Sequence, residues 1–145
     1  MLVRLLYASR SSGEIDEALV ASILERSRAA NAEHGITGIL CTYSPGNVFL
    51  QVLEGGRAAV NALYTNIARD TRHRDVTLLD YAEVAERRFP GWRMGSVSLN
   101  RVNQASILRF SETAVLDPFV MSGKAVMALL EELASSAAIV SRDAS

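Results

Sequence analysis

Five short segments of the chain are rich in apolar residues and bounded by turn-forming ones, a pattern typical of β-strands. They cover residues 3–8, 36–43, 48–53, 76–84 and 92–99. Pro45 and Gly46 lie between the second and third segments, in the order that fits the centre of a type II turn. We therefore predict that these two strands form a hairpin.

Two stretches between these strands carry apolar residues at every third or fourth position, the spacing of an amphipathic helix. The first stripe begins at Ile15 and is expected to end near Gly35. The second runs from Val60 to Ile67 and is expected to end near Asp70. The element order is then β-α-β-β-α-β followed by one more strand. We predict an α+β fold of the ferredoxin-like type, in which both helices lie on one face of a mostly antiparallel sheet.

The third strand is apolar on both faces. Phe49 and Leu53 point to one side, whereas Leu50 and Val52 point to the other. Because two helices cover only one face, we expect the helical segments after residue 101 to cover the second, either within the chain or by exchange between subunits. These segments are a short one at 102–110 and a stripe from Val126 to Ala137, and residues 141–145 are expected to be disordered.

Three polar residues fall on faces that should be core: Tyr7 in the first strand, Gln51 in the third and Asn31 on the stripe of the first helix. If all three point into the layer between helices and sheet, they converge there. A buried amide or hydroxyl without a partner costs about 1–3 kcal/mol, so such a cluster needs mutual hydrogen bonds, water or a polar ligand. A flat heterocycle between the helices would satisfy it, with Ile23 and Ile67 on its faces. Taken singly, each polar residue is more often an ordinary core or helix-end residue.

Composition limits the classes of function. The 145 residues, 49% of them hydrophobic, fit one globular domain. The net charge is −1 and the longest basic tract is residues 72–74, so we expect no nucleic-acid partner. One cysteine and two histidines do not make a zinc site, and we expect no metal. No stretch has the length of a membrane span or the character of a signal peptide, so we expect a cytoplasmic protein without a membrane partner.

Motifs of the common enzyme classes are missing from the sequence. No Gly-rich loop has dinucleotide or P-loop spacing, and no G-x-S-x-G elbow occurs. No histidine is expected on an element beside Ser9, and Glu54, Asp70 and Asp80 are expected to be solvated rather than paired for acid and base catalysis. Cys41 is expected to be a small core residue. We therefore expect no enzymatic activity.

Five motifs, in order and with matching spacing, resemble the BLUF family of blue-light sensors that use flavin. Singly each motif is weak, but together they cover about the first hundred residues. They are LYAS at 6–9, NAEHGITG at 31–38, VFLQVLEG at 48–55, DTRH at 70–73 and RRFPGWRM at 87–94.

This resemblance implies a flavin, usually FAD with FMN or riboflavin as alternatives, held noncovalently between the two helices. Tyr7 would donate an electron and a proton to the photoexcited flavin, and Gln51 would be the amide that relays between them. Trp92 and Met94 would carry the light signal onward, and strand alternation places both on the same face. The implied flavin-binding set is Ile23, Ser27, Asn31, Gln51, Ile67, Asp70, Arg72 and His73.

The expected function is that of a blue-light photoreceptor. Residues 1–100 would bind the flavin, and residues 101–140 would form a helical extension that passes a red-shifted signalling state to an unidentified partner protein. The stripe after residue 126 also favours a homo-oligomer, a dimer or larger. Two other interpretations stay open: a small ferredoxin-like module that binds a ligand or protein without photochemistry, and a flavin-dependent redox enzyme that works without light.

Overall fold

The computed structural model describes residues 1–135 and 139–141. Its strands are β1 (Leu2–Ser11), β2 (Thr37–Tyr43), β3 (Val48–Gly56), β4 (His73–Val84), β5 (Gly95–Ser98) and β6 (Ile139–Ser141). Its α-helices are α1 (Glu17–His34), α2 (Arg57–Arg69), α3 (Gln104–Phe110) and α4 (Gly123–Ser135), and a short 3-10 helix covers Pro118–Val120. The described strands form one sheet in the order β4-β1-β3-β2-β5-β6.

The architecture is α+β, and the predicted ferredoxin-like order of the first six elements is confirmed. β1 lies between β3 and β4 and is antiparallel to both, and β2 forms the predicted hairpin with β3. β5 runs parallel to β2. The β1–β3 register places Tyr7 opposite Gln51 and Arg4 opposite Glu54, so two polar pairs are set by the same strand pairing.

Local sequence signals fix the boundaries of the first helix. The Asp16 side chain accepts a hydrogen bond from the Leu19 N–H at 2.8 Å, which caps the amino end of α1. Gly35 ends the helix with a φ of 69°, a left-handed conformation that glycine adopts at little cost. The predicted end of this helix is therefore confirmed.

Apolar side chains fill both faces of the sheet, as the pattern in the third strand predicts. Phe49 and Leu53 belong to the core under α1 and α2, whereas Leu50 and Val52 belong to a second core on the opposite face. The C-terminal helices cover that second face from within the same chain. The buried residues that α4 contributes are Val126, Met127, Leu129, Leu130 and Leu133.

The fifth strand is shorter than predicted. β5 begins at Gly95 and not at residue 92, because the chain turns just before it: the Trp92 N–H donates to the Phe89 carbonyl at 3.3 Å. The Trp92 carbonyl in turn accepts from the Gly38 N–H at 3.0 Å. The fourth strand differs as well: β4 begins at His73, three residues before the predicted start at residue 76.

The last residues add a strand that the sequence pattern does not predict. Residues 139–141 form β6 beside β5, so Ser141 belongs to the sheet rather than to a tail. Ala137 and the remaining predicted tail, residues 142–145, lie outside the described residues. Within 1–135 and 139–141, no helix has the length and apolar character needed to cross a membrane, and no three potential metal ligands lie close enough to hold an ion.

Candidate functional site

Tyr7 and Gln51 form the centre of a buried polar chain. They face each other across β1 and β3, and the Tyr7 hydroxyl donates to Gln51 Oε1 at 2.5 Å. The same amide donates through Nε2 to the Sδ of Met94 at 3.4 Å. One flat amide thus accepts from a phenol and donates to a thioether, and a change in its orientation would alter both contacts at once.

Burial keeps the Tyr7 phenol protonated. The side chain is fully buried, which raises its pKa above the ordinary value of 10.0, and the Tyr64 phenol and the Asp70 carboxylate raise it further. Tyr7 is therefore a hydrogen-bond donor at every physiological pH. The protonated phenol can donate, and in this structure it donates to Gln51 Oε1 while Gln51 Nε2 faces Met94.

A cavity of about 420 Å³ lies between α1 and α2 beside this chain. Seven of the eight residues in the predicted flavin-binding set line it: Ile23, Ser27, Gln51, Ile67, Asp70, Arg72 and His73. A larger groove, of about 930 Å³, lies between α1 and the β2–β5 edge but is lined by neither Tyr7 nor Gln51. The smaller cavity is therefore the better candidate, because the polar chain opens onto it.

Charged groups gather where α2 ends at the cavity. Arg72 bonds both carboxylate oxygens of Asp70, with Nη2 to Oδ2 at 2.6 Å, and this pairing lowers the pKa of Asp70 from 3.8 to about 2. Arg26 adds a second guanidinium at 3.8 Å from the same carboxylate. Asp70 is thus ion-paired, and the expectation that its carboxylate is solvated is wrong.

His73 is a buried neighbour of the polar chain. Its Nδ1 lies 2.8 Å from the Ser9 hydroxyl, and its ring packs against Phe49 with 5.0 Å between centroids. Burial lowers the pKa of His73 below 6.5, although the nearby Asp70 opposes this, so the ring is neutral at pH 7. The expectation that no histidine accompanies Ser9 is wrong, because β4 begins early and brings His73 alongside β1.

Asn31 is held apart from the Tyr7–Gln51 pair. Its Nδ2 donates to the Arg93 carbonyl at 2.7 Å, and it lines a separate cavity of about 340 Å³ rather than the one between α1 and α2. Its Oδ1 is buried and has no hydrogen-bond partner among the described residues. The structure therefore connects Asn31 to Gln51 only through the backbone that carries Arg93 and Met94.

Trp92 and Met94 lie on opposite sides of the sheet, so the prediction that they share a face is wrong. Met94 is fully buried in the α1/α2 core against Gln51. Trp92 belongs to the second core, where its ring lies 5.5 Å from that of Phe89. Both residues precede β5, so the alternation of a strand does not apply to them.

One buried residue, Glu54, was misjudged from sequence, and one half-buried residue, Arg28, was given no role. Glu54 is fully buried and hydrogen-bonded, although the sequence analysis expects it to be solvated. Its position opposite Arg4 in the β1–β3 pair is the signal from which its ion pairing could have been predicted. Arg28 of α1 donates to the Met94 carbonyl at 3.0 Å, a role that no sequence motif indicates. The prediction for Cys41 is confirmed, because burial raises its pKa to about 12 and keeps it a thiol.

Residues 2–95 match the model of a family described as BLUF, sensors of blue-light using FAD. The photoactivated adenylate cyclase subunit beta of Euglena gracilis is 34% identical over 98 residues, which are 67% of this chain and 11% of that protein. The photoactivated adenylate cyclase subunit alpha-like protein FB of the same organism is 32% identical over 121 residues, or 82% of this chain and 12% of that protein. The chain thus spans about a tenth of the length of these curated relatives.

Solved structures show the same similarity. The photo-activated state of BlsA superposes with a TM-score of 0.80 at 31% identity, over 92% of this chain and 94% of BlsA. The dark state of BlrB, described as a BLUF protein, gives 0.76 at 32% identity, over 93% and 96%. A bacterial light-regulated adenylyl cyclase gives 0.68 at 28% identity, over 94% of this chain and 34% of the cyclase.

Proposed function

Because the chain belongs to the BLUF family of blue-light sensors that use FAD, we propose that it is a non-enzymatic photoreceptor in which Tyr7 and Gln51 carry the photochemistry. The observation that carries this proposal is the buried chain from the Tyr7 hydroxyl through Gln51 to Met94, beside a cavity between two helices. The similarity to BlsA and BlrB, which this chain covers almost completely, supports a light-sensing role for these residues.

The cavity between α1 and α2 has the chemistry that a flavin requires. Ile23 and Ile67 provide apolar walls for the ring, and Arg26 and Arg72 provide cations near the end of α2 for the phosphates of FAD. Asn31 does not line this cavity, but its buried Oδ1 lacks a donor among the described residues, and a flavin ring whose N–H edge extended to Asn31 would supply one. These residues would hold FAD, with Ser27, Asp70 and His73 completing the lining.

When bound, the flavin supplies the absorption of blue light and an excited state that accepts an electron. Tyr7 is the donor, and its hydroxyl proton leaves towards Gln51 Oε1, which already accepts its hydrogen bond. With flavin bound, the electron and the proton would both return to Tyr7, so the chain would undergo no net chemical change. What persists is a different hydrogen-bonding arrangement of the Gln51 amide, which is the red-shifted signalling state.

The signal leaves the site through Met94, because this residue contacts the Gln51 amide. The backbone around Met94 also carries Trp92, which lies in the core covered by α4. The C-terminal helices are therefore the output, and they act on a partner protein or on a second copy of the chain. Exposed apolar side chains on this part of the chain support a contact there, namely Leu108, Val115 and Val120.

The proposal is tested by the absorption spectrum of the purified chain, recorded in the dark, directly after blue illumination, and during recovery. We expect flavin bands that move to the red and return unaided. A preparation that holds no flavin, and takes up none when FAD is added, would favour a binding module without photochemistry. Flavin bands that bleach with a nicotinamide cofactor in the dark would favour a redox enzyme.

A further inference from the structure

Glu54 at the end of β3 is the most completely buried carboxylate among the described residues. Its side chain is 0% exposed. It accepts from Arg4 Nε at 2.8 Å, from the Arg88 N–H at 2.9 Å and from the Phe89 N–H at 2.8 Å. Hydrogen bonds to an ionised carboxylate are about twice as strong as neutral ones, and a buried carboxylate is retained only when it is paired in this way.

The two backbone donors open the stretch of chain that carries the signal, residues 88–94, which we name the relay segment. Within it, Met94 contacts the Gln51 amide on one face of the sheet. Trp92 packs beside Phe89 on the other face, and Arg88 reaches Glu131 of α4 at 3.3 Å. The relay segment therefore joins the proposed site to the C-terminal helix, and Glu54 anchors its first two residues.

In the described part of the chain, no β-sheet hydrogen bonds would replace those that Glu54 makes to the backbone at positions 88 and 89. The relay segment precedes β5, so its early N–H groups are outside the regular pairing of the sheet. Loss of the Glu54 carboxylate would leave two backbone donors and the Arg4 guanidinium short of an acceptor. The far end of the relay segment is held differently, through its carbonyls at positions 92–94. These accept from the Gly38 N–H at 3.0 Å, from Asn31 Nδ2 at 2.7 Å and from Arg28 Nη2 at 3.0 Å. Glu54 therefore fixes the start of the segment, which these bonds do not reach.

We propose that Glu54 is a positioning residue that holds the relay segment, so that Met94 stays against Gln51 and Trp92 stays in the core beneath α4. The role in signalling rests on the proposed function, whereas the anchoring itself is independent of light. Glu54 touches neither Tyr7 nor Gln51, and it acts only through the relay segment. Its removal loosens the start of that segment and changes how fast the dark arrangement returns.

The test uses Trp92, which is the single tryptophan of the chain. In the full chain with FAD, Glu54→Gln is expected to raise the acrylamide quenching constant of Trp92 in the dark by about twofold or more, because a buried ring with its anchor removed becomes accessible. The recovery rate of the red-shifted state is expected to change by about threefold or more in the same variant.

Two control variants separate anchoring from general loss of stability. Glu83→Gln removes an exposed carboxylate of the edge strand β4, where Glu83 pairs with Arg57 of α2. Val48→Ala removes core packing at the opposite end of β3 from Glu54. Neither is expected to change Trp92 quenching. If Val48→Ala raises it as much as Glu54→Gln does, the effect is general destabilisation and the proposal is wrong.

Unchanged Trp92 quenching in a folded Glu54→Gln variant would also overturn the proposal. If that variant does not fold, Glu54→Asp decides, because it keeps the charge but shortens the reach. Increased quenching would then support anchoring, and wild-type quenching would contradict it. A wild-type chain without any light-induced shift would refute the proposed function. The quenching of Trp92 in the dark would still test whether Glu54 anchors the relay segment.

Discussion

Asn31 shows how a single atom can indicate a missing partner. Its Nδ2 donates a hydrogen bond to the Arg93 carbonyl. Its buried Oδ1, however, accepts no hydrogen bond from any donor within residues 1–135 and 139–141. A buried acceptor without a donor costs about 1–3 kcal/mol. A ligand that supplies an N–H to this oxygen would recover that free energy on binding.

We therefore expect Asn31→Ala to weaken FAD binding by roughly 5- to 150-fold, the factor that corresponds to about 1–3 kcal/mol. The measurement is a fluorescence titration of the flavin-free chain with FAD. The matched control is Asn61→Ala, which changes an exposed asparagine of α2 outside the cavity lining. Equal affinity of the Asn31 variant and the wild type would contradict the assignment of Asn31 to the flavin.

Asp70 at the end of α2 and His73 at the start of β4 make stability depend on pH in two separate windows. Burial lowers the pKa of His73 below 6.5, so the unfolded chain binds more protons once the pH falls through 6.5. Stability from this group is present above pH 6.5 and is lost below it. For Asp70, the Arg72 bonds lower the pKa from 3.8 to about 2, so its contribution is lost between those values.

Urea unfolding of the flavin-free chain should therefore give a free energy of unfolding that falls between pH 7.5 and 5. We expect His73→Gln to flatten this slope, because glutamine does not titrate. The other histidine, His34, is exposed and is present in both proteins. Identical slopes for the wild type and the variant would show that His73 does not titrate differently in the folded state.

At the scale of elements, the docking of α4 depends on a glycine at its first position. A Cβ on Gly123 would lie 2.2 Å from the carbonyl oxygen of Leu79, a backbone atom that cannot turn away as a side chain can. This close approach brings the start of α4 onto β4. The substitution Gly123→Ala thus has two opposing effects on stability: alanine favours the helix, but its Cβ takes up the space that docking needs.

We expect the clash to win, with Gly123→Ala lowering the free energy of unfolding by about 1–3 kcal/mol. Chemical denaturation followed by circular dichroism measures this directly. Gly13→Ala is the matched control, because nothing lies within 4 Å of the added Cβ there, and its effect should stay within about 0.5 kcal/mol. A Gly123 variant at least as stable as the wild type would mean that α4 does not need this close approach.

Elements with a clear period were predicted well from the sequence, and the irregular ones were not. The apolar stripes and the Pro45–Gly46 turn gave the order of the first six elements because each depends on local spacing. The placement of Trp92 and Met94 failed because a turn that closes at Trp92, and not strand alternation, sets their directions. The burial of Glu54 needed the β1–β3 register, which connects residues fifty positions apart.

At the scale of the whole molecule, the chain builds two cores on one sheet and connects them by the relay segment. Gln51 and Met94 face the core under α1 and α2, whereas Trp92 faces the core under α4. A local change in one amide can therefore reach both sides of the sheet through a short stretch of backbone. Under the proposed function, this arrangement would give a small photochemical event a route to the C-terminal helices without any covalent step.

The central claim is that Tyr7 is the residue that reacts to light, and the light-minus-dark absorption spectrum of Tyr7→Phe tests it most directly. Tyr43→Phe is the control, since it removes the hydroxyl of a buried tyrosine in the second core. We expect both variants to hold FAD, Tyr43→Phe to shift to the red and recover as the wild type does, and Tyr7→Phe to show no shift. A Tyr7→Phe variant that still gives a reversible red shift would contradict the account.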